Sequence, residues 1–152
     1  MKEVTIKVAN KPDIGAGMIA GFVASVASIL VLAFSTFFIL VPEFDYIAIQ
    51  GSAFGLAGGS LAAWISYFLI GIFIWGVLYA IVESLLNGSS RNAKGLLFGS
   101  IIWLVVMIVL MPLADAGFFL KEYGFIAALI ILITDLSFGL VMSYSYDKFR
   151  RM

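Results

Sequence analysis

Apolar residues fill four long stretches of this chain, and short polar or glycine-rich segments separate the stretches from one another. The stretches cover residues 14–41, 61–86, 95–114 and 124–146. Each is close to or longer than the roughly 20 residues that a helix needs to cross the hydrocarbon core of a bilayer. An isolated spanning strand would leave backbone groups unpaired in lipid, so all four are predicted to be helices. The pattern predicts an all-α, polytopic four-helix bundle that forms one transmembrane domain over residues 1–152.

The composition also indicates a membrane protein. Hydrophobic residues make up 63% of the chain and charged residues 12%, whereas about a quarter of the residues in a soluble domain are charged. The first apolar stretch is longer than the apolar region of a cleavable signal peptide. We therefore expect it to remain as an anchor, with membrane lipid as the surrounding partner.

Cationic residues fall mostly on one side of the predicted spans. Only Lys121 lies on the other side, and eight share the first: Lys2, Lys7, Lys11, Arg91, Lys94, Lys148, Arg150 and Arg151. Short loops rich in Lys and Arg stay in the cytoplasm. The count predicts a multi-pass protein of the plasma membrane with both termini cytoplasmic. Because no basic stripe with interleaved aromatic residues is present, no nucleic-acid partner is expected.

Turn residues divide the spans into two helical hairpins. Pro12 and Asp13 favour a helix start, the Asn87-Gly88-Ser89-Ser90 segment favours a turn, and Pro112 marks the end of the third span. The hairpins share a pattern, because Tyr67 and Asp135 each precede a glycine by four residues. Either a weak internal duplication or the chance recurrence of small residues explains this similarity.

Small residues also recur at four-residue spacing on three of the spans. They are Gly17, Gly21 and Ser25 on the first, Gly95 and Gly99 on the third, and Gly139 and Ser143 on the fourth. Such stripes let membrane helices approach one another closely. They pack either within the bundle or against a partner subunit.

Asp135 lies halfway along the fourth span, where a charged carboxylate is costly. Thr134 and Ser137 flank it, and Tyr67 or Ser28 is expected within reach from other helices. One interpretation is a protonated carboxyl group that hydrogen-bonds between helices. The others are a proton or cation path and a contact with another subunit.

Glu83 is the second carboxylate within a predicted span. It lies about one turn from the cytoplasmic end of its helix. Its side chain is therefore expected to reach interfacial water or Arg91.

The connection between the first two spans is largely apolar from Tyr46 to Ala57. It is too apolar for a solvated loop and too short to cross the membrane. It is predicted to form either a short amphipathic helix in the interface or a re-entrant element that lines a cavity.

Catalytic chemistry has little support in the sequence. The chain contains no Cys and no His, which removes thiolate nucleophiles and the commonest zinc and haem ligands. Glu43, Asp45 and Asp115 give only a weak pattern for a divalent cation. We expect no enzyme activity, no cofactor and no metal centre.

Several motifs of aromatic and small residues recur along the spans: Trp64-x-x-Tyr67-Phe68-x-x-Gly71, Trp75-Gly76-x-x-Tyr79-Ala80, Lys94-Gly95-x-x-Phe98-Gly99, Trp103, Met107, Met111-Pro112 and Ala116-Gly117. Together they resemble a group of short four-span prokaryotic membrane proteins that are classified only as a domain of unknown function. In that group a His often stands at the position of Tyr67 and another near Asp135. This chain has neither, so the metal or haem role of such a pair is not carried over. The resemblance implies the architecture and no established activity.

Two function classes fit these features best. The first is a non-catalytic accessory or assembly subunit of a larger membrane protein complex, associated with other integral membrane subunits or with itself. The second is a small oligomeric channel or transporter for protons, cations or a small solute, with Asp135 in its path.

Overall fold

The structure, a computed structural model, describes residues 11–86 and 90–152. Over these residues the chain is all-helical, with five helices and no strand. The helices are α1 (Ile14–Phe37), α2 (Tyr46–Ser52), α3 (Leu61–Leu85), α4 (Arg91–Leu113) and α5 (Phe125–Arg150), with one 3-10 turn at Phe118–Leu120. All but α2 are long and apolar enough to cross a membrane. The prediction of an all-α, multi-pass membrane bundle is confirmed.

Polar side chains at the helix starts account for several boundaries. Asp13, Ser60 and Ser90 each accept a hydrogen bond from the backbone N–H three residues later. Such caps satisfy donors that have no partner inside the helix. Because Ser90 is the cap, α4 begins at Arg91 rather than at the predicted residue 95.

The ends of the helices also differ from the sequence-based limits. α1 ends at Phe37, where residue 41 was predicted, because the chain turns through Ile39 with a positive φ of 48°. α5 continues to Arg150, beyond the predicted residue 146. The predicted turn at residues 87–89 and the cations Lys2 and Lys7 lie outside the described residues.

The two hairpins, α1 with α3 and α4 with α5, pack together mainly along α1 and α5. At one end of the bundle the Asp13 backbone N–H donates to the Tyr146 hydroxyl at 3.2 Å, joining the start of α1 to the end of α5. The Lys94 ammonium lies 2.8 Å from the Glu83 carboxylate, joining the start of α4 to the end of α3. We call this end the charged end. The opposite end, which carries α2 and the turn after α4, is called the apolar end.

Glycines stand where paired helices come closest. A Cβ atom at Gly17 or Gly21 of α1 would overlap the backbone carbonyl of Gly76 or Gly71 of α3, respectively. At residue 95 of α4 it would lie 2.6 Å from the Ser143 hydroxyl oxygen, and at Gly139 it would overlap the Gly95 carbonyl. Gly95 and Gly139 thus contact each other, whereas Gly17 and Gly21 contact glycines of α3, all within the bundle.

α3 and α4 each contain a π-helical segment, Ile70–Gly76 and Val106–Leu110 respectively. Such segments wind one additional residue into a turn and often occur at functional sites. In α3 the segment contains both glycines that face α1. Gly71 and Gly76 are five positions apart, yet they face Gly21 and Gly17, which are four apart.

Candidate functional site

A small cavity lies inside the bundle, and residues from all five helices line it. Its volume is about 20 Å³. We call it the polar chamber, because polar side chains form much of its wall: Ser25 and Ser28 of α1, Tyr46 and Gln50 of α2, Tyr67 of α3, and Thr134 and Asp135 of α5. Three of the four predicted intramembrane polar residues, Asp135, Thr134 and Tyr67, thus meet at one site.

Asp135 is the only carboxylate in the wall of the polar chamber. Its side chain is 7% exposed, and its Oδ2 atom has no hydrogen-bond partner among the described residues. The nearest cation along α5 toward its end is Lys148, thirteen residues away, which at 1.5 Å per residue is roughly 20 Å. One interpretation of Asp135 is a hydrogen bond from its carboxyl group to another helix. The Oδ2 atom has no partner among the described residues that would make this bond. Ser137, predicted to flank it, bonds instead to the Ile133 carbonyl.

The hydroxyl groups in the wall donate their hydrogens to the backbone. Ser25, Ser28 and Thr134 each bond to the carbonyl oxygen four residues earlier, at 2.8, 2.9 and 2.8 Å. The Tyr67 hydroxyl donates to the Ser25 carbonyl at 3.4 Å. A hydroxyl that donates its single hydrogen still has oxygen lone pairs free to accept. The side-chain oxygens of Ser25, Ser28, Thr134 and Tyr67 can therefore still act as acceptors in the wall of the polar chamber.

α2 brings the remaining polar group into the polar chamber. Gln50 is 2% exposed, and its Nε2 atom has no partner among the described residues. Gly51 lets α2 lie against α3, since a Cβ atom there would be 2.7 Å from the Ala63 Cβ. The connection therefore contains a short helix, as in the first of its two predicted forms, and this helix lines a cavity, as in the second. Sequence reasoning missed Gln50, although a single amide within an apolar run was an available signal.

The polar chamber adjoins a larger groove toward the apolar end. This groove has a volume of about 480 Å³, lies between α1, α2 and the start of α3, and is lined mainly by apolar residues. Tyr46 lines both the groove and the polar chamber. Tyr46 is therefore the residue at which the two spaces adjoin.

Large aromatic side chains fill the bundle between the polar chamber and the charged end. Tyr79, Phe98 and Tyr146 are each at most 2% exposed. The Tyr79 ring centroid lies 4.9 Å from that of Phe98 and 5.3 Å from that of Tyr146. We call these three residues the aromatic plug. They occupy the space between the polar chamber and the charged end without lining the polar chamber.

Glu83, the fourth predicted polar residue, lies at the charged end and does not line the polar chamber. The prediction that Glu83 pairs with Arg91 is wrong. Glu83 pairs with Lys94 and, at 3.4 Å, with Arg150. Arg91 instead lies 3.6 Å from Asp147. The reason is the early start of α4, which puts Lys94 one turn inside the helix and facing the end of α3.

The weak pattern of Glu43, Asp45 and Asp115 does not form a cluster of carboxylates within the described residues. Among residues 11–86 and 90–152, no group of three or more His, Cys, Asp or Glu side chains could hold a metal ion. Asp45, one of the three carboxylates in the weak pattern, instead caps α2 by accepting from the Ala48 N–H at 3.0 Å.

Comparison with known proteins places the chain in a family. Residues 12–152 match the model of a family of unknown function, DUF6789. The chain belongs to this family. The resemblance to membrane proteins grouped as a domain of unknown function is thereby confirmed, and their prokaryotic origin stays a prediction. No curated protein and no solved structure matches the chain. DUF6789 membership assigns no activity, so function is inferred from the geometry.

Proposed function

We propose that the chain is a non-catalytic accessory or assembly subunit of a larger membrane protein complex. The observation that carries this proposal is the apolar surface of the turns at the apolar end. Ile39, in the turn after α1, is 72% exposed, and Phe118, in the turn after α4, is 63% exposed. Phe38 and Leu40 beside Ile39 are also exposed. Exposed apolar patches mark surfaces that contact another protein or the membrane, and this one lies in the turns beyond the ends of the spans.

These turns also hold unusual backbone conformations. Ile39, Asp115, Phe119 and Leu120 all have positive φ angles, between 48° and 58°. Residues other than glycine adopt this region at a cost, and they keep it where the surrounding structure holds them there. The exposed apolar side chains are thus presented in one fixed arrangement, which suits docking to a partner protein.

The proposal includes the orientation and the membrane. The described part of the cationic side, from Lys11 to Arg151, lies at the charged end. By the excess of Lys and Arg there, the charged end faces the cytoplasm and the apolar end faces outward across the plasma membrane. The partner would then contact the outer surface of this subunit.

Site-specific photo-crosslinking in native membranes tests the accessory role. A photoreactive residue at Ile39 should crosslink to one defined membrane protein, which also co-purifies with the wild-type chain in mild detergent. Leu104 of α4, 45% exposed within a span, is the matched control and should crosslink to lipid only. Crosslinking of Ile39 only to lipid would contradict the proposal.

A second candidate is a small oligomeric channel or transporter, and the unpaired Asp135 Oδ2 favours it. An ionisable side chain inside a membrane commonly marks a proton or ion path. The volume of about 20 Å³ restricts the cargo to a proton or a single ion rather than a larger solute. The aromatic plug would have to move for passage. Flux into liposomes that is lost in Asp135→Asn, with assembly intact, would support this candidate over the first.

A further inference from the structure

We infer that the polar chamber is a binding site for a single Na⁺ ion, which a proton displaces from the Asp135 carboxylate. The site is argued from the chamber alone and does not depend on the accessory role or on transport. Its basis is a buried carboxylate oxygen that has no partner among the described residues and that lies in a wall with several hydroxyl oxygens.

The wall of the polar chamber presents oxygen lone pairs to the cavity. The hydroxyl hydrogens of Ser25, Ser28 and Thr134 are already used by backbone carbonyls. Asp135 Oδ2 is an acceptor without a donor. An occupant that carries positive charge would satisfy this carboxylate and use the neighbouring hydroxyl oxygens as ligands. Oxygen atoms are also the ligands that replace the hydration shell of alkali cations in proteins.

The Gln50 amide can present either a donor or an acceptor to the cavity. Its Nε2 atom is a fully buried donor without a partner among the described residues. The two ends of a glutamine amide have similar size, so a half-turn presents Oε1 instead. A Na⁺ ion between Gln50 Oε1 and Asp135 Oδ2 would then satisfy the carboxylate.

The charge of the site selects a monovalent ion. Asp135 is the single carboxylate at the polar chamber, and no Lys or Arg side chain lines it. One bound Na⁺ neutralises one carboxylate, whereas Ca²⁺ sites use several charged oxygen ligands. The volume of about 20 Å³ has room for one ion or one water molecule and excludes an organic cation.

Two neighbouring features suit an ion-binding site: a groove through which the ion can enter and a π-helical segment in α3. The groove at the apolar end reaches the polar chamber past Tyr46, so the ion would enter from that side. The π-helical segment of α3 borders the polar chamber through Ile70, Gly71 and Trp75. Displaced backbone groups of this kind recur at functional sites.

A proton competes with the ion because both need the same carboxylate. The titratable groups that line the polar chamber are Asp135 of α5, Tyr46 of α2 and Tyr67 of α3. α1 contributes Ser25 and Ser28, and α4 contributes Ile102, so neither adds a charge. Protonation of Asp135 removes the only anionic ligand. Na⁺ affinity should therefore fall as the pH falls, as for other sites whose ligand must lose a proton.

The test is equilibrium binding of radioactive Na⁺ to the full chain in lipid nanodiscs, with choline replacing Na⁺ to keep the ionic strength constant. Saturable binding of one Na⁺ per chain is expected at alkaline pH. The apparent affinity should fall up to about tenfold per pH unit once protons occupy the carboxylate. Absence of saturable binding at alkaline pH, or affinity that does not change with pH, would overturn the inference.

Two serines that make the same type of hydrogen bond give a matched pair of variants. Ser28 and Ser137 each bond to the carbonyl four residues earlier, but only Ser28 lines the polar chamber. Ser28→Ala should weaken Na⁺ binding by about tenfold, and Ser137→Ala should leave it unchanged. Asp135→Asn should abolish it. Equal affinities of the two alanine variants would count against the site even if Asp135→Asn failed to fold.

Discussion

Gly99 of α4 lies directly against the backbone of Asp135 in α5, so closely that a Cβ atom at residue 99 would overlap the Asp135 carbonyl oxygen. The same Cβ atom would lie 2.9 Å from the Leu136 Cα. The position of the buried carboxylate is thus fixed by the packing of two helices. Packing and the chemistry of the polar chamber cannot be changed independently at this point.

Gly99→Ala should therefore destabilise the protein. The added methyl group forces α4 and α5 apart, and overpacking of this kind typically costs about 1–3 kcal/mol. Gly21→Ala should act similarly at the crossing of α1 and α3. The measurement is the free energy of unfolding in detergent micelles. Gly15→Ala is the control, because its Cβ would lie 3.6 Å from the nearest Asp13 atom, and loss of stability there too would refute the argument.

Displacement of α2 should expose the polar chamber. Gly51→Leu overlaps Ala63 of α3 and should push α2 outward. Because the chain has no Cys, a single cysteine at Ser28 reports access without interference. Its reaction with a small thiol reagent should be several-fold faster in the Gly51→Leu background. Phe54→Leu, at a residue exposed beyond α2, should not change the rate, and equal rates in all backgrounds would mean that α2 does not cover the chamber.

The two ends of the bundle should differ in their reaction with an impermeant thiol reagent on intact cells. A cysteine at the exposed Ser52 of α2 should be labelled directly. A cysteine at Arg151 should be labelled only after the membrane is opened, because the charged end is proposed to face the cytoplasm. Labelling of Arg151→Cys in intact cells would reverse the proposed orientation.

The ion pairs at the charged end should contribute to stability in a salt-dependent way. Glu83 joins Lys94 of α4 and Arg150 of α5, and all three side chains are at most 25% exposed. Glu83→Gln should lower the free energy of unfolding by about 1 kcal/mol at low salt. The difference should shrink at high salt, which screens such charges. Glu43→Gln at the apolar end, where the carboxylate is exposed, is the control.

The sequence was sufficient to predict features that depend on the length of an apolar stretch or on the positions of positive charges. Twenty or more apolar residues specify a span wherever they occur, and the count of cations divides the loops into two sides. The spacing of Gly95 and Gly99 also indicated a close crossing, although it could not say which helix they would meet.

Features that depend on side-chain direction over a few residues could not be predicted. The seven residues of α2 are too few to show a helical period, so the burial of Gln50 was not visible. The predicted partner of Glu83 was wrong because the prediction depended on where α4 begins. A shift of four residues in that start changed which cation, Arg91 or Lys94, pointed toward α3.

The π-helical segment of α3 has a geometric consequence for everything that follows it. In an α-helix each residue turns the chain by about 100°, so one additional residue rotates all later side chains by that angle. Tyr79 of the aromatic plug and Glu83 of the ion pairs both follow the segment. Their side chains therefore point into the bundle only because the segment at residues 70–76 is wound as a π-helix. Rewinding of this segment as a regular α-helix, with the number of residues unchanged, would turn the second half of α3 by about 100° and leave its first half in place.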